Sequence, residues 1–282
     1  MGETGCVYFS LAGEELLIHH VVSCNGKRIR CVAGGHNAVF ALCEEEAITI
    51  HSLQHDIDHE IHQFTAIAHG SKHSVGRTFH GDLYAWGCNG NGQLGTGASL
   101  ADAASPTRLP LKFATEKVSA SSTHSAAIDG EGNLHAWGAN FHGQLALYQT
   151  EKLAALDIEK QLTLLPRFVP FSRAHPISSV ACGEGFTLVT TKQGSVWGWG
   201  TSDCGQLGVD RNSNVALPRL VLERDPDDGS AMQTVVCGWA HALCLSSSGH
   251  VYSWGLNSHG QLGRVTAGTS SAEPGAVTIE TD

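Results

Sequence analysis

VYSWGLNSHGQLG at 251–263 decides the fold, because the chain writes the same pattern three more times. The other copies are LYAWGCNGNGQLG at 83–95, LHAWGANFHGQLA at 134–146 and VWGWGTSDCGQLG at 196–208. They align without gaps. In each, the Trp stands six residues before the Gly of Gly-Gln-Leu: Trp86 and Gly92, Trp137 and Gly143, Trp199 and Gly205, Trp254 and Gly260. A second marker lies thirteen residues before each Trp, at His73, His124, Phe186 and His241. Repetition at a fixed period outranks every other signal in a sequence of this kind.

Between marker and Trp runs an alternating apolar stretch, a polar turn and another alternating stretch, as in Ala242–Leu245, Ser247-Ser248-Gly249 and Val251–Trp254. That is a β-hairpin pattern, with Gly81, Gly130, Gly194 and Gly249 expected to supply the positive φ of the turn. Successive Trp residues are 51, 62 and 55 positions apart, a length suited to propeller blades of several short strands. Each repeated residue has a structural task. The indoles fill space between blades, and the glycines after them (Gly87, Gly138, Gly200, Gly255) admit a close strand. The amides of Gln93, Gln144, Gln206 and Gln261 satisfy backbone groups bared by the turn, and Leu94, Leu145, Leu207 and Leu262 return to the core.

These motifs resemble the regulator of chromosome condensation repeat family, whose members fold as β-propellers, usually of seven blades. The resemblance is clear over 67–263 and degenerate over 1–66, where Asn37–Leu42 and Ala47–Ile50 are expected to form one more hairpin without its Trp. With strands expected at Val7–Ser10 and Ala276–Glu280, the chain reads as a single all-β domain over 1–282 with fewer than seven complete blades. Either it is a ring of five or six closed by pairing its terminal strands, or it is a fragment of a seven-bladed ring.

Composition narrows the partners. Thirty-three glycines among 282 residues exceed the usual share of about 7 %, and they lack the triplet period of collagen. Seventeen basic residues face 27 acidic ones, a net charge of −10, which argues against direct nucleic-acid binding. No apolar run approaches the roughly 18 residues of a membrane span, and no signal peptide is evident. The nine cysteines are scattered and contain no Cys-x-x-Cys. Reduced thiols in the cytosol or nucleus are the simpler reading.

No constellation points to catalysis. His51, His55 and His59 would share one helical face and could bind zinc or nickel, but nothing caps a helix there and the neighbouring repeats are β. The Gly-rich loops lack the Lys and Ser/Thr of a phosphate cradle, and no Gly-x-Ser-x-Gly elbow occurs. We therefore expect no catalytic, cofactor or metal residues. An insertion at 151–165 is expected to carry a short helix, serving either contact or capping.

The family resemblance directs attention to the loops before each marker, which line one face of the propeller. Exchange factors for small GTPases place acidic residues there, and the plant ultraviolet sensors place Trp there. The corresponding positions are Gly34-Gly35, Ser71-Lys72, Ser122-Thr123, Glu184-Gly185 and Trp239-Ala240. Lys72, Glu184 and Trp239 are thus the candidate contact residues, with Trp239 reading equally as an interface anchor or as packing between blades. The expected function is a monomeric, non-enzymatic scaffold binding another protein, chromatin-associated or otherwise. Nucleotide exchange on a small GTPase is the alternative, resting on fold-level analogy.

Overall fold

The computed structural model describes residues 64–97, 100–147, 161–209 and 214–278 throughout, and ahead of them only the strand backbones at 6–7, 22–23, 29–34, 38–43 and 49–52. In chain order, β1 (Cys6–Val7) pairs with β2 (Val22–Ser23). The first blade is three-stranded, β3 (Ile29–Gly34), β4 (Ala38–Cys43) and β5 (Thr49–Ser52). The second comprises β6 (Phe64–His69), β7 (His73–Thr78), β8 (Leu83–Gly87) and β9 (Ala103–Arg108). The third comprises β10 (Thr115–Ala120), β11 (His124–Asp129), β12 (Leu134–Ala139) and β13 (Leu162–Phe168). The fourth comprises β14 (Ile177–Gly183), β15 (Phe186–Thr191), β16 (Val196–Gly200) and β17 (Val215–Leu222). The fifth comprises β18 (Met232–Cys237), β19 (His241–Ser246), β20 (Val251–Leu256) and β21 (Ser270–Ala276).

Every blade is an antiparallel meander in chain order, so each strand meets its sequence neighbour. The first strand of a blade packs on the blade before it: β10 on β6 and β7, β14 on β10 and β11, β18 on β14 and β15. Among the described strands, four four-stranded blades and a three-stranded one are thus laid side by side as a fragment of a propeller ring.

The thirteen-residue spacing sets the hairpin register. His73, His124, Phe186 and His241 lie opposite Gly87, Gly138, Gly200 and Gly255, one step beyond the Trp. Each of these glycines has φ near +100°, and a Cβ there would strike the carbonyl oxygen of the residue before the marker. A side chain is excluded twice over, by conformation and by space.

Four expectations are corrected. The turn glycine of the third blade is Gly132 (φ +92°), not Gly130, because its N–H closes the turn onto the Asp129 carbonyl. Residues 162–165 are not helical but open β13: the outer edge of β12 offers unpaired backbone groups, and Leu162 and Thr163 pair there with Ala139 and Gly138. Gln161, just ahead of β13, is 3-10 in conformation, and 151–160, where the expected short helix would otherwise fall, lie outside the described residues. The last strand lies earlier than 276–280, at Ser270–Ala276, and completes the fifth blade by pairing with β20. Closure through paired terminal strands is absent among the described strands, since β21 pairs with β20 and β1 with β2. Of the histidines His51, His55 and His59, the first belongs to β5, and His55 and His59 fall outside the described residues.

The repeated residues build the seams between blades. Trp137, Trp199 and Trp254 are fully buried, and each indole N–H donates to the backbone carbonyl of the preceding blade's Gln: Gln93 at 2.8 Å, Gln144 at 2.8 Å and Gln206 at 2.9 Å. Leu94, Leu145 and Leu207 share buried clusters with the next blade's Trp. The Gln side chains turn back instead, their Oε1 atoms accepting the N–H groups of Asn91, His142, Cys204 and His259 at 2.8 to 2.9 Å. Trp86 stacks on Phe64 with ring centroids 5.7 Å apart.

Candidate functional site

The loops before the markers and the loops after the Trp strands emerge at the same end of the blades. Where the third, fourth and fifth blades meet, they enclose a depression of about 190 Å³. From the pre-marker loops come Thr123, Glu184, Gly185, Trp239 and Ala240; from the post-Trp loops come Phe141, His142, Thr201, Asp203 and Cys204. Glu184 and Trp239, singled out from the sequence, are brought together here: the Glu184 N–H donates to the Trp239 carbonyl at 3.1 Å. Trp239 is 67 % exposed in the described chain. Lys72 is exposed on the corresponding loop of the second blade and does not line the depression.

Sequence reading missed Phe141, His142, Asp203 and Cys204. They occupy the two positions between the turn residue (Asn140 or Ser202) and the Gly of Gly-Gln-Leu. The signal was present: Gly90-Asn91, Phe141-His142, Asp203-Cys204 and Ser258-His259 differ at every first position, and share only His at two of the second, between the turn residue and a constant Gly-Gln-Leu. Constant flanks hold the loop, so the variable pair is what it presents. Phe141 is 39 % exposed and Asp203 is exposed. The His142 ring lies against Gly185, where a Cβ would sit 3.0 Å from it.

Below this rim the strongly perturbed groups are already committed. Ser125 Oγ donates to the Gln93 carbonyl at 3.0 Å and therefore accepts from His73 Nε2–H at 2.7 Å. In the next seam Thr187 Oγ1 donates to the Gln144 carbonyl at 2.8 Å and accepts from His124 Nε2–H at 2.9 Å. Both imidazoles are thereby held neutral, with the proton on Nε2. Burial pushes each down to about 3, with lesser contributions at His73 from His69 and His124. The Cys182 and Cys244 thiols are pushed up to about 12, mainly by burial. These thiols are too basic for nucleophilic chemistry near neutral pH.

A second cluster lies at the opposite end of the fifth blade. Asp225, Asp228 and His250 fall within 4.8 Å of one another, the one grouping of metal-binding type among the described residues. Asp225 is buried and saturated by protein donors: Tyr252 OH at 2.6 Å, His250 Nδ1 at 3.0 Å and the Asp227 N–H at 2.9 Å. Burial alone would raise its carboxyl, but these bonds outweigh it and hold the group well below the usual range. The cluster staples the 225–230 loop to the β19–β20 turn and is structural.

Comparison with known proteins places this architecture. The family model for the RCC1-like domain matches residues 48–281. The ultraviolet-B receptor UVR8 of Arabidopsis thaliana is 31 % identical over 207 residues, covering 72 % of this chain and 43 % of that protein. The probable E3 ubiquitin-protein ligase HERC3 of Homo sapiens is 36 % identical over 201 residues, covering 69 % of this chain and 18 % of that protein. The chain thus spans less than half the length of these curated relatives. Human WBSCR16 superposes with a TM-score of 0.74 at 24 % identity, covering 90 % of this chain and 68 % of that one. Yeast RCC1 (Prp20), in its complex with Kap60, gives 0.72 at 18 % identity, over 90 % of this chain and 62 % of that one. Matched over most of its length, with its indole-to-carbonyl seams repeated from blade to blade, the chain belongs to the RCC1-like domain family of β-propellers.

Proposed function

We propose that this chain is a non-enzymatic protein-interaction platform whose partner docks on the loop face around Glu184 and Trp239. One observation carries the reading. The constant residues of the repeats are spent on hairpins, loop bracing and seams, whereas variable residues of three blades converge on one rim that presents Glu184, Asp203, Phe141 and Trp239. Rigid strands with variable loops are the usual design of a recognition surface. The most strongly shifted groups described above, His73, His124, Cys182 and Cys244, are buried in the blades and not on that rim. The five described cysteines are free thiols, which favours a reducing compartment, the cytosol or nucleus.

A photo-crosslinking amino acid at position 203 or 239 tests this reading. Partner adducts are expected from both positions and not from position 248, on the turns at the opposite end. Equal labelling at all three, or none, would overturn it. Nucleotide exchange on a small GTPase is the second reading, favoured by the fold shared with yeast Prp20, whose binding to Gsp1p and histones has been characterised. Asp203 adds a second carboxylate beside Glu184 on the face that such a reading requires. Many-fold faster release of labelled nucleotide from one GTPase in a panel would establish exchange; a flat panel would leave the platform alone.

A further inference from the structure

We infer that the depression at the junction of the third, fourth and fifth blades is a socket for one arginine side chain of the partner protein; the inference rests on the loop-face reading above. Its size comes first. About 190 Å³ is small beside the roughly 300–1,000 Å³ that hold free cofactors or drug-sized ligands. It suits a guanidinium and the end of its stem.

Charge comes second. Glu184 and Asp203 line the socket without an ion pair or side-chain hydrogen bond among the described residues, and no Lys or Arg of this chain lines it. Two free carboxylates on a chain of net charge −10 attract cations and reject acidic segments.

The lining side chains supply the third argument. Phe141 and Trp239 flank the opening, and an aromatic face accepts a flat guanidinium by stacking and cation–π attraction. Among the lining residues, Thr201 is nine-tenths buried, and its hydroxyl has no hydrogen-bond partner. A buried hydroxyl left idle in a folded protein calls for an explanation, and an incoming N–H donor provides one. Arginine suits the set better than lysine, because its planar fork can address two carboxylates and a hydroxyl while lying on a ring.

The test uses the intact chain and three synthetic peptides, Gly-Ser segments carrying a central arginine, lysine or citrulline. Citrulline keeps the shape and loses the charge. Binding is read from amide and indole NMR shifts. The arginine peptide should shift the Gly185, Thr201 and Trp239 signals saturably, the lysine peptide should bind several-fold more weakly, and the citrulline peptide should not bind. The double variant Glu184→Gln/Asp203→Asn should weaken arginine binding at least tenfold with an unchanged melting temperature. Should that variant fold poorly, raising salt on the wild type must weaken binding similarly. Equal binding of arginine and citrulline peptides, or shifts elsewhere, would overturn the socket. Crosslinked adducts at 203 and 239 without arginine binding would sink the socket and leave the platform. Loss of both would sink the platform itself.

Discussion

Two seams of this arc, one blade apart, solve the same packing problem differently. Between the third and fourth blades, His124 reaches Thr187 and Thr187 reaches the Gln144 carbonyl. Between the fourth and fifth, the corresponding residues are Phe186 and Ala242, both fully buried in one apolar cluster, and only the Trp254 indole bonds to the Gln206 carbonyl. The donor and its acceptor have gone together. A buried imidazole N–H facing Ala would be unsatisfied, and a buried hydroxyl facing Phe would lose its incoming donor. The difference teaches that the marker position tolerates either chemistry provided both sides of the seam change at once.

The indoles are the largest test of this comparison. Trp199→Ala and Trp254→Ala should each cost about 3–5 kcal/mol, as large buried aromatic deletions do, measured by chemical denaturation. Trp254→Ala should be the worse, because Thr187 still holds the Gln144 carbonyl after Trp199 is removed, whereas nothing replaces the bond to Gln206. The opposite ranking would break the account of the apolar seam.

Next comes conversion of one seam into the other. Phe186→His alone should destabilise by about 2 kcal/mol, through an unpaired buried donor. Adding Ala242→Ser should return at least about 1 kcal/mol, reproducing the His73–Ser125 pair between the second and third blades. Strict additivity in this double-mutant cycle would mean that the two positions do not communicate.

Acid should separate the seams without mutation. The folded imidazoles of His73 and His124 lie at about 3, against an ordinary value of 6.5. Below pH 6.5 the unfolded chain therefore binds protons that the folded chain refuses. Their contribution is fully present above that pH and is lost as pH falls toward 3, at up to about 1.4 kcal/mol per pH unit per histidine. Hydrogen exchange at the Trp137 and Trp199 indoles should quicken on acidification, relative to its base-line pH trend, more than exchange at Trp254. Parallel behaviour of the three would remove the histidines from the seam energetics.

The smallest effect belongs to the rim. Trp239→Ala should change stability by less than about 0.5 kcal/mol, the usual scale for exposed sites, while abolishing crosslinked adducts from position 203. A clear loss of stability would make Trp239 a structural residue after all.

Much of this was legible before any coordinates. The thirteen-residue and six-residue spacings act along the chain, so they foretold the hairpins, the place of Trp between blades, the turn-bracing Gln amide and the core Leu, but not the Gln carbonyl that each indole meets. Gly132 was legible too: it stands five residues before its Trp, as do Gly81, Gly194 and Gly249. The strand at 162–168 was not, since its sequence mixes Leu with charge at a loosely helical spacing, and the open edge of β12 overrode that local pattern. Nor was the pairing of Phe186 with Ala242 visible, although each stood in plain sight as an exception within its own repeat.

The sequence by itself determined the architecture, because the repeat is local and each copy carries its own hairpin, turn and seam residues. Only the tertiary structure decided what the rim presents. Glu184, Asp203, Phe141 and Trp239 come from three blades, and no spacing along the chain brings them to one depression. The angle at which each blade leans on the next does that, and the packing of buried indoles, leucines and hydroxyls sets the angle.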